Sequence, residues 1–287
     1  LYMREEENLV RQNTNGDIVW FQFESLLSLG DTITHGVFAR HGGVSLTPYS
    51  SLNAGPATKD DLHAKMENYS RISAALPGHP LLVGTPPLQG SEILEITNDF
   101  LGAARPPALL LPGGCDAFIT RASGVGLFWA VADCAVILLV DSKRRAIGLA
   151  HAGWRGTRDA IVIKTLRCME EVYGTDAADL HVAIGPTIGP CCYEVDERLR
   201  TEFAQNAFAD AHAQFSVIQG EDEDGATRSS LRLDLAESNR AQLIAAGAPE
   251  DRIEMSGLCT GTRRDLFFSH RMEHGRTGRF AVVLGLR

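Results

Sequence analysis

Hydrophobic and polar positions divide this chain into a turn-rich first part and a middle crowded with short apolar runs. Residues 17–30 form a weakly amphipathic lead-in. The segment "GVFARHGGVS" (Gly36–Ser45) reads as a short strand that ends in a glycine turn, and "YSSLN" follows as loop. Leu62, Met66, Tyr69 and Ile72 recur at helical spacing and predict a helix over Asp60–Leu76, with Asp60 as its cap. "LPGHPLLVGTPPLQG" breaks repeatedly at proline and glycine, so it is loop with one short strand inside.

From Asp116 strands follow closely: "DAFIT", "GLFWAV", "AVILLVD" and "AIGLAH". Ile161, Ile163, Leu166 and Met169 mark a helix over Thr157–Tyr173. Next come a strand, "LHVAIG", and a helix from Asp196 to about Phe208. The acidic stretch "GEDEDGATRSS" reads as solvated surface. "LRLDL", the helix "AESNRAQLIAAG", "RIEMS" and the closing strand "RFAVVLGLR" complete the chain. Many strands and few helices predict an α+β fold, with mixed sheets covered by helices in a layered arrangement. No stretch is rich enough in linker residues to divide residues 1–287, which points to one domain.

A net charge of −9 over 287 residues argues against a nucleic-acid or anionic-membrane binder, because either would want a basic face. No apolar stretch is long enough to span a bilayer. The N-terminus, "LYMREEENLV", lacks the features of a secretory signal. Six cysteines, two of them vicinal (Cys191 and Cys192), make no disulfide framework and suit a reduced, cytoplasmic protein.

The candidate chemistry centres on two apolar runs. "AVILLVD" and "AIGLA" are joined by the polar turn "SKRR", which predicts an antiparallel hairpin. Its open end then brings together Cys134, before the first strand, and His151, at the end of the second. Thiolate and imidazole are ligands that zinc and copper favour; a cysteine–histidine nucleophile pair is the metal-free alternative. Asp133, beside the thiol, could serve as acid, base or support. "RHGGVS" and "HAGWRGT" each join an arginine, Arg40 and Arg155, to a tight turn suited to an oxyanion or phosphate. "CTGTRRDLFFSHR" mixes Phe267 and Phe268 with His270 and Arg271, as a ring-binding wall would. The vicinal cysteines read as structural.

In order and spacing, "ARHGGVS", "SLN", "DAFIT", "ADC", "HAGWRG", "IGPTIGPCCYEV", "CT…FFSHR" and "TGR" resemble the bacterial laccase-domain proteins. These are also described as multicopper polyphenol oxidoreductases or peptidoglycan editing factors. The likeness runs from about Gly36 to Arg287. It implies a fold resembling the toxin-type cysteine hydrolases and a metal site of two histidines and one cysteine. The activity it implies is zinc-dependent phosphorolysis of purine nucleosides (adenosine, inosine, methylthioadenosine) with adenosine deamination beside it. Cys134 and His151 match two of the ligands. The third differs: Gln89, in "PLQGSEIL", stands where the family has histidine, and His270 stands where a tyrosine is usual.

The resemblance thus implies a small-molecule enzyme for purine nucleoside and phosphate, monomeric or homodimeric, with Zn²⁺ or alternatively Cu²⁺ at Cys134, His151 and the altered position Gln89. Arg40, Arg155, Phe268 and Arg271 are the expected substrate- and phosphate-binding residues, and Asp133, Cys134 and His151 the catalytic ones. Three rivals remain. A copper-dependent phenol oxidase would need more histidines than the compact set found here. A weakened or non-catalytic cell-wall editing protein is favoured by Gln89. A metal-free cysteine hydrolase would use Cys134 with His151.

Overall fold

The Ala135–Asp141 and Ala146–Ala152 strands do pair as an antiparallel hairpin, with Val136 opposite His151 and Ala135 opposite Ala152. Every residue in both is buried. In the computed structural model, which describes residues 10–102, 107–221 and 227–287, the cause is that their sheet is covered on both faces. Val136, Leu138 and Val140 point into a core shared with a second sheet. Ala135, Ile137 and Leu139 point the other way, against Ile161, Leu166 and Met169 of the helix Ile161–Tyr173 and Leu243 of the helix Leu235–Ala245. A strand buried on both sides cannot alternate apolar with polar, so it reads as an unbroken apolar run.

The hairpin belongs to a six-stranded sheet ordered Ile253–Met255, His181–Ile184, Ala135–Asp141, Ala146–Ala152, Ala117–Thr120, Ile93–Ile96. Only its two outer pairings are parallel. The facing sheet has seven strands, ordered Val10–Asn15, Ile18–Phe23, Ile33–Phe38, Phe280–Leu286, Val125–Val131, Leu81–Gly84, Ala108–Leu110. Its far side is closed by Tyr69 and Ile72 of the helix Leu62–Ala75, which pack on Trp20, Phe38 and Phe128. The order is therefore helix, sheet, sheet, helix, an α+β fold with mixed sheets as expected. A smaller three-stranded sheet joins Glu194–Val195, Thr227–Asp234 and Gln214–Glu221. The two large sheets are also tied by a hydrogen bond, from Trp129 Nε1 to the Leu149 carbonyl at 3.0 Å.

Several local expectations need correction. Within the lead-in of residues 17–30, Ile18–Phe23 is a strand of the large sheet, paired with the preceding strand Val10–Asn15. The helix cap is Asp61, which accepts from the Ala64 N–H at 2.8 Å; Asp60 instead accepts from Asn53 Nδ2. The helix predicted over Thr157–Tyr173 is two, Trp154–Arg158 and Ile161–Tyr173, because Ala160 takes a left-handed conformation between them. The one from Asp196 is likewise split into Glu197–Phe203 and Ala207–His212, the second capped by Asn206. Of the acidic stretch, residues 220–221 and 227–230 belong to the paired strands Gln214–Glu221 and Thr227–Asp234; residues 222–226 lie outside the described residues. Among the described residues, no helix is long and apolar enough to cross a membrane.

Candidate active site at the open end of the hairpin

Where the two strands diverge, Cys134, His151 and Gly153 meet. A methyl group placed on Gly153 would lie 2.9 Å from Cys134 Sγ and 4.0 Å from His151 Cε1. The glycine therefore gives the thiol its room. It also starts the short helix Trp154–Arg158, whose first turn swings Trp154 and Arg155 over the same opening.

His151 is buried, with its ring 5.4 Å from that of Trp129. The next strand, Ala117–Thr120, pairs antiparallel with the histidine strand, Ala117 opposite Ala150. That register carries Asp116 alongside His151: the His151 N–H donates to the Asp116 carbonyl at 2.8 Å. Asp116 Oδ1 stands 3.9 Å from His151 Nδ1, too far for a hydrogen bond but close enough to act by charge. Burial alone would lower the imidazole's proton affinity, but the Cys134 sulfur and the Asp116 carboxylate outweigh it and hold the pKa up at about 9. Burial likewise works against the Asp116 carboxylate, yet His151 and the N–H groups of Gly90 and Gln89 keep it below the usual carboxylate range. Those N–H groups donate to its two oxygens at 2.9 and 2.8 Å. Asp116 was not singled out in the sequence; its one signal was an acid at the head of "DAFIT".

Gln89 lines the same opening, with its side-chain oxygen engaged by Arg155. Its backbone is left-handed, its N–H is bound to Asp116, and its Oε1 accepts from Arg155 Nη1 at 2.9 Å.

Asp133 has a left-handed backbone too, with φ 87°. Its Oδ1 accepts from Thr260 Oγ1 at 2.6 Å and Ser269 Oγ at 2.7 Å, and its Oδ2 from the Arg271 N–H at 2.6 Å. Its carbonyl accepts from the Ile188 N–H. A carboxylate with three donors on it is an anchor for the loops around it, and this geometry favours the supporting role over acid–base work.

The opening is a cavity of about 380 Å³ lined by Gln89, Asp116, Cys134, His151, Tyr193 and Arg155, together with His270, Arg271 and Arg279. Of the expected substrate-binding residues, Arg155 and Arg271 line it. The Arg155 guanidinium stacks on Trp154 at 4.2 Å and that of Arg271 on Tyr193 at 5.0 Å. Burial, then the nearby Cys134, pushes the Tyr193 phenol up to about 12. Arg279 is an added member. Its Nη1 is tied to the carbonyls of Thr277 and Gly278, and its Nη2 lies 3.3 Å from His270 Nδ1.

Arg40 and Phe268 require correction, since neither lines this cavity. Phe268 is fully buried in the shared core, and Arg40 lies over its ring at 4.4 Å. Arg40 Nη1 is paired with Glu273 Oε1 at 3.1 Å, and Glu273 Oε2 accepts from the Ser269 N–H. Arg40 thus braces the loop that carries His270 and Arg271. Phe267 is equally buried, and Arg263 pairs with Asp265.

The donors at Cys134 and His151 fit a thiophilic ion. His151 turns Nδ1 to Asp116, the way a carboxylate orients a metal-binding imidazole, and among the described residues Nδ1 is a buried atom with no hydrogen-bond partner. Gln89 offers a neutral oxygen already engaged by a cation, so two firm side-chain donors converge, not three.

Residues 34–287 match the family model for multi-copper polyphenol oxidoreductase laccase. A relative named purine nucleoside phosphorylase YlmD, from Geobacillus stearothermophilus, is 36% identical over 255 residues, which is 88% of this chain and 89% of that one. A purine nucleoside phosphorylase of Bacteroides thetaiotaomicron is 34% identical over 261 residues, covering 90% and 92%. The crystal structure of the Geobacillus stearothermophilus YlmD superposes with a TM-score of 0.81 at 32% identity, over 98% of this chain and 100% of that one. With the hairpin site and the helix–sheet–sheet–helix order in place, these likenesses are decisive: the chain belongs to the multi-copper polyphenol oxidoreductase laccase family.

Proposed function

We propose that this chain is a purine nucleoside phosphorylase working at the cavity between the hairpin and the loops anchored by Asp133. One observation carries the reading. Cys134 and His151, backed by Asp116, open into the same 380 Å³ cavity as Arg155, Arg271 and Arg279. Phosphorolysis needs an anion held beside a polarising centre, and guanidinium groups fixed by ring stacking and carbonyl contacts are preorganised to hold phosphate oxygens. A phosphate oxygen bonds to the sugar C1′ while the bond from C1′ to purine N9 breaks, and its electron pair leaves on the base. Trp154 and Tyr193 offer aromatic faces to the purine. The anchors on Asp133 hold Arg271 in register with the hairpin. Both large sheets contribute to this one cavity, which supports reading the chain as a single catalytic domain.

Cys134 and His151 would hold the metal ion, zinc or alternatively copper, and that ion supplies Lewis-acid polarisation. Asp116 fixes the imidazole, and Gly153 leaves the thiol free to face it. Adenosine deamination would use the same cavity.

The test is incubation of pure protein with inosine and phosphate, followed by chromatography for hypoxanthine and ribose-1-phosphate. Formation of both, and their loss in Cys134→Ala, is the expected outcome. A second reading, of a weakened enzyme, is favoured by the Gln89–Arg155 hydrogen bond at the altered ligand position. Activity absent in the native chain at any zinc concentration, but gained in Gln89→His, would support it.

A further inference from the structure

A second group of sulfurs stands apart from the hairpin. Cys191 and Cys192 lie on the turn after the His181–Ile184 strand, and Cys259 comes from a loop distant in sequence. The loops are zipped together: Thr187 pairs with Cys259 in a parallel bridge, the Thr260 N–H donates to the Thr187 carbonyl at 3.0 Å, and the Thr187 N–H donates to Leu258. The sulfur atoms of Cys191 and Cys259 are 3.5 Å apart, those of Cys191 and Cys192 are 3.8 Å apart, and all three lie within 4.8 Å of one another. Two thiolates on one tetrahedral ion, with metal–sulfur bonds of about 2.3 Å, sit about 3.8 Å apart. Adjacent cysteines rarely reach one ion unaided; here the turn itself aims both at the third.

The surroundings leave room for these sulfurs. A methyl group on Gly261 would sit 2.8 Å from Cys192 Sγ, and one on Gly189 would sit 3.5 Å from both Cys191 Sγ and Cys259 Sγ. The Gly189 N–H donates to Cys259 Sγ at 3.2 Å, the kind of backbone contact that supports a metal-bound thiolate. A small cavity of about 220 Å³ opens against Cys191 and Cys259 and gives a way in.

We propose that Cys191, Cys192 and Cys259 form a metal site for a thiophilic ion, Zn²⁺ or Cu⁺, separate from the hairpin site and independent of the phosphorylase reading. Three soft donors and no side-chain oxygen suit those ions over hard cations. The ion staples the turn before Tyr193 to the loop whose Thr260 anchors Asp133, so it stiffens one wall of the active site from outside it.

The test uses the full chain, kept reduced, with Cys134→Ser and Cys259→Ser variants whose folding is checked by circular dichroism. Each is titrated under argon with Co²⁺ as a stand-in for Zn²⁺, and separately with Cu⁺, and the sulfur shell is read by X-ray absorption. The Cys134→Ser protein is expected to keep one ion with roughly three sulfurs, and Cys259→Ser to lose it. Displacement of Co²⁺ by Zn²⁺ but not by Cu⁺, or the reverse, assigns the metal. If Cys259→Ser fails to fold, Cys191→Ala reads the same shell. A sulfur shell lost with Cys134 and unchanged without Cys259, or no sulfur-bound ion in either variant, overturns the proposal. So does a chain that takes up no ion and holds a Cys191–Cys259 disulfide despite the reductant.

Discussion

Asp116 Oδ1 faces His151 Nδ1 across 3.9 Å, and among the described residues that buried nitrogen has no hydrogen-bond partner. The carboxylate is itself fixed by the N–H groups of Gln89 and Gly90, so its charge cannot swing away. Asp116→Asn keeps the shape and removes the charge that orients the ring. Loss of such a partner typically costs 10–100-fold in activity or metal affinity. The expected result is a fall in kcat of about that size with KM for the nucleoside little changed, measured by steady-state kinetics.

Gly153→Ala tests whether the thiol must face the imidazole. The added methyl would lie 2.9 Å from Cys134 Sγ, so the sulfur must leave its present position beside His151. Gly153 has an ordinary extended backbone, so alanine strains nothing else. Activity should drop by at least about tenfold, the scale of one misplaced catalytic contact, while the melting temperature moves by only a few degrees.

Gln89→His places an imidazole at the position where the family resemblance leads one to expect a third ligand. The left-handed backbone at this position is one that histidine adopts more readily than most residues. The substitution also frees Arg155 from its hydrogen bond to the amide. Zinc retained after dialysis against a metal buffer should rise, and turnover with it. Unchanged zinc content would mean that the segment at 89 does not bring its side chain to the ion.

Much of this site was legible in the sequence because the hairpin is local. Two apolar runs and a short polar turn fix the register that puts Cys134 beside His151, whatever the rest of the chain does. Asp116 was hidden because its strand joins that hairpin from a distance, and nothing nearby in sequence says which edge it takes. Arg40 and Phe268 misled for the opposite reason. Each belongs to a conspicuous motif, yet the fold turns Arg40 onto Glu273 and buries Phe268 beneath it. Helix breaks at Ala160 and before Asn206 were also invisible, because apolar spacing runs on across them.

His35 makes the fold itself sensitive to acid. It lies on the Ile33–Phe38 strand, buried, its ring stacked at 6.2 Å on Phe23, and its Nε2 accepts from the Phe23 N–H at 2.9 Å. Burial holds its pKa down at about 4 against the ordinary 6.5. The folded chain therefore keeps this ring neutral where the unfolded chain takes up a proton. Stability from this group is complete above pH 6.5 and is lost as pH falls from 6.5 through 4, because there the unfolded state binds more protons. A shift of this size corresponds to about 3 kcal/mol across that window. Denaturant unfolding of the native chain should show such a fall between pH 7 and pH 4, less in His35→Gln, which can accept from the same N–H without titrating. Equal slopes in the two proteins would place the acid sensitivity elsewhere.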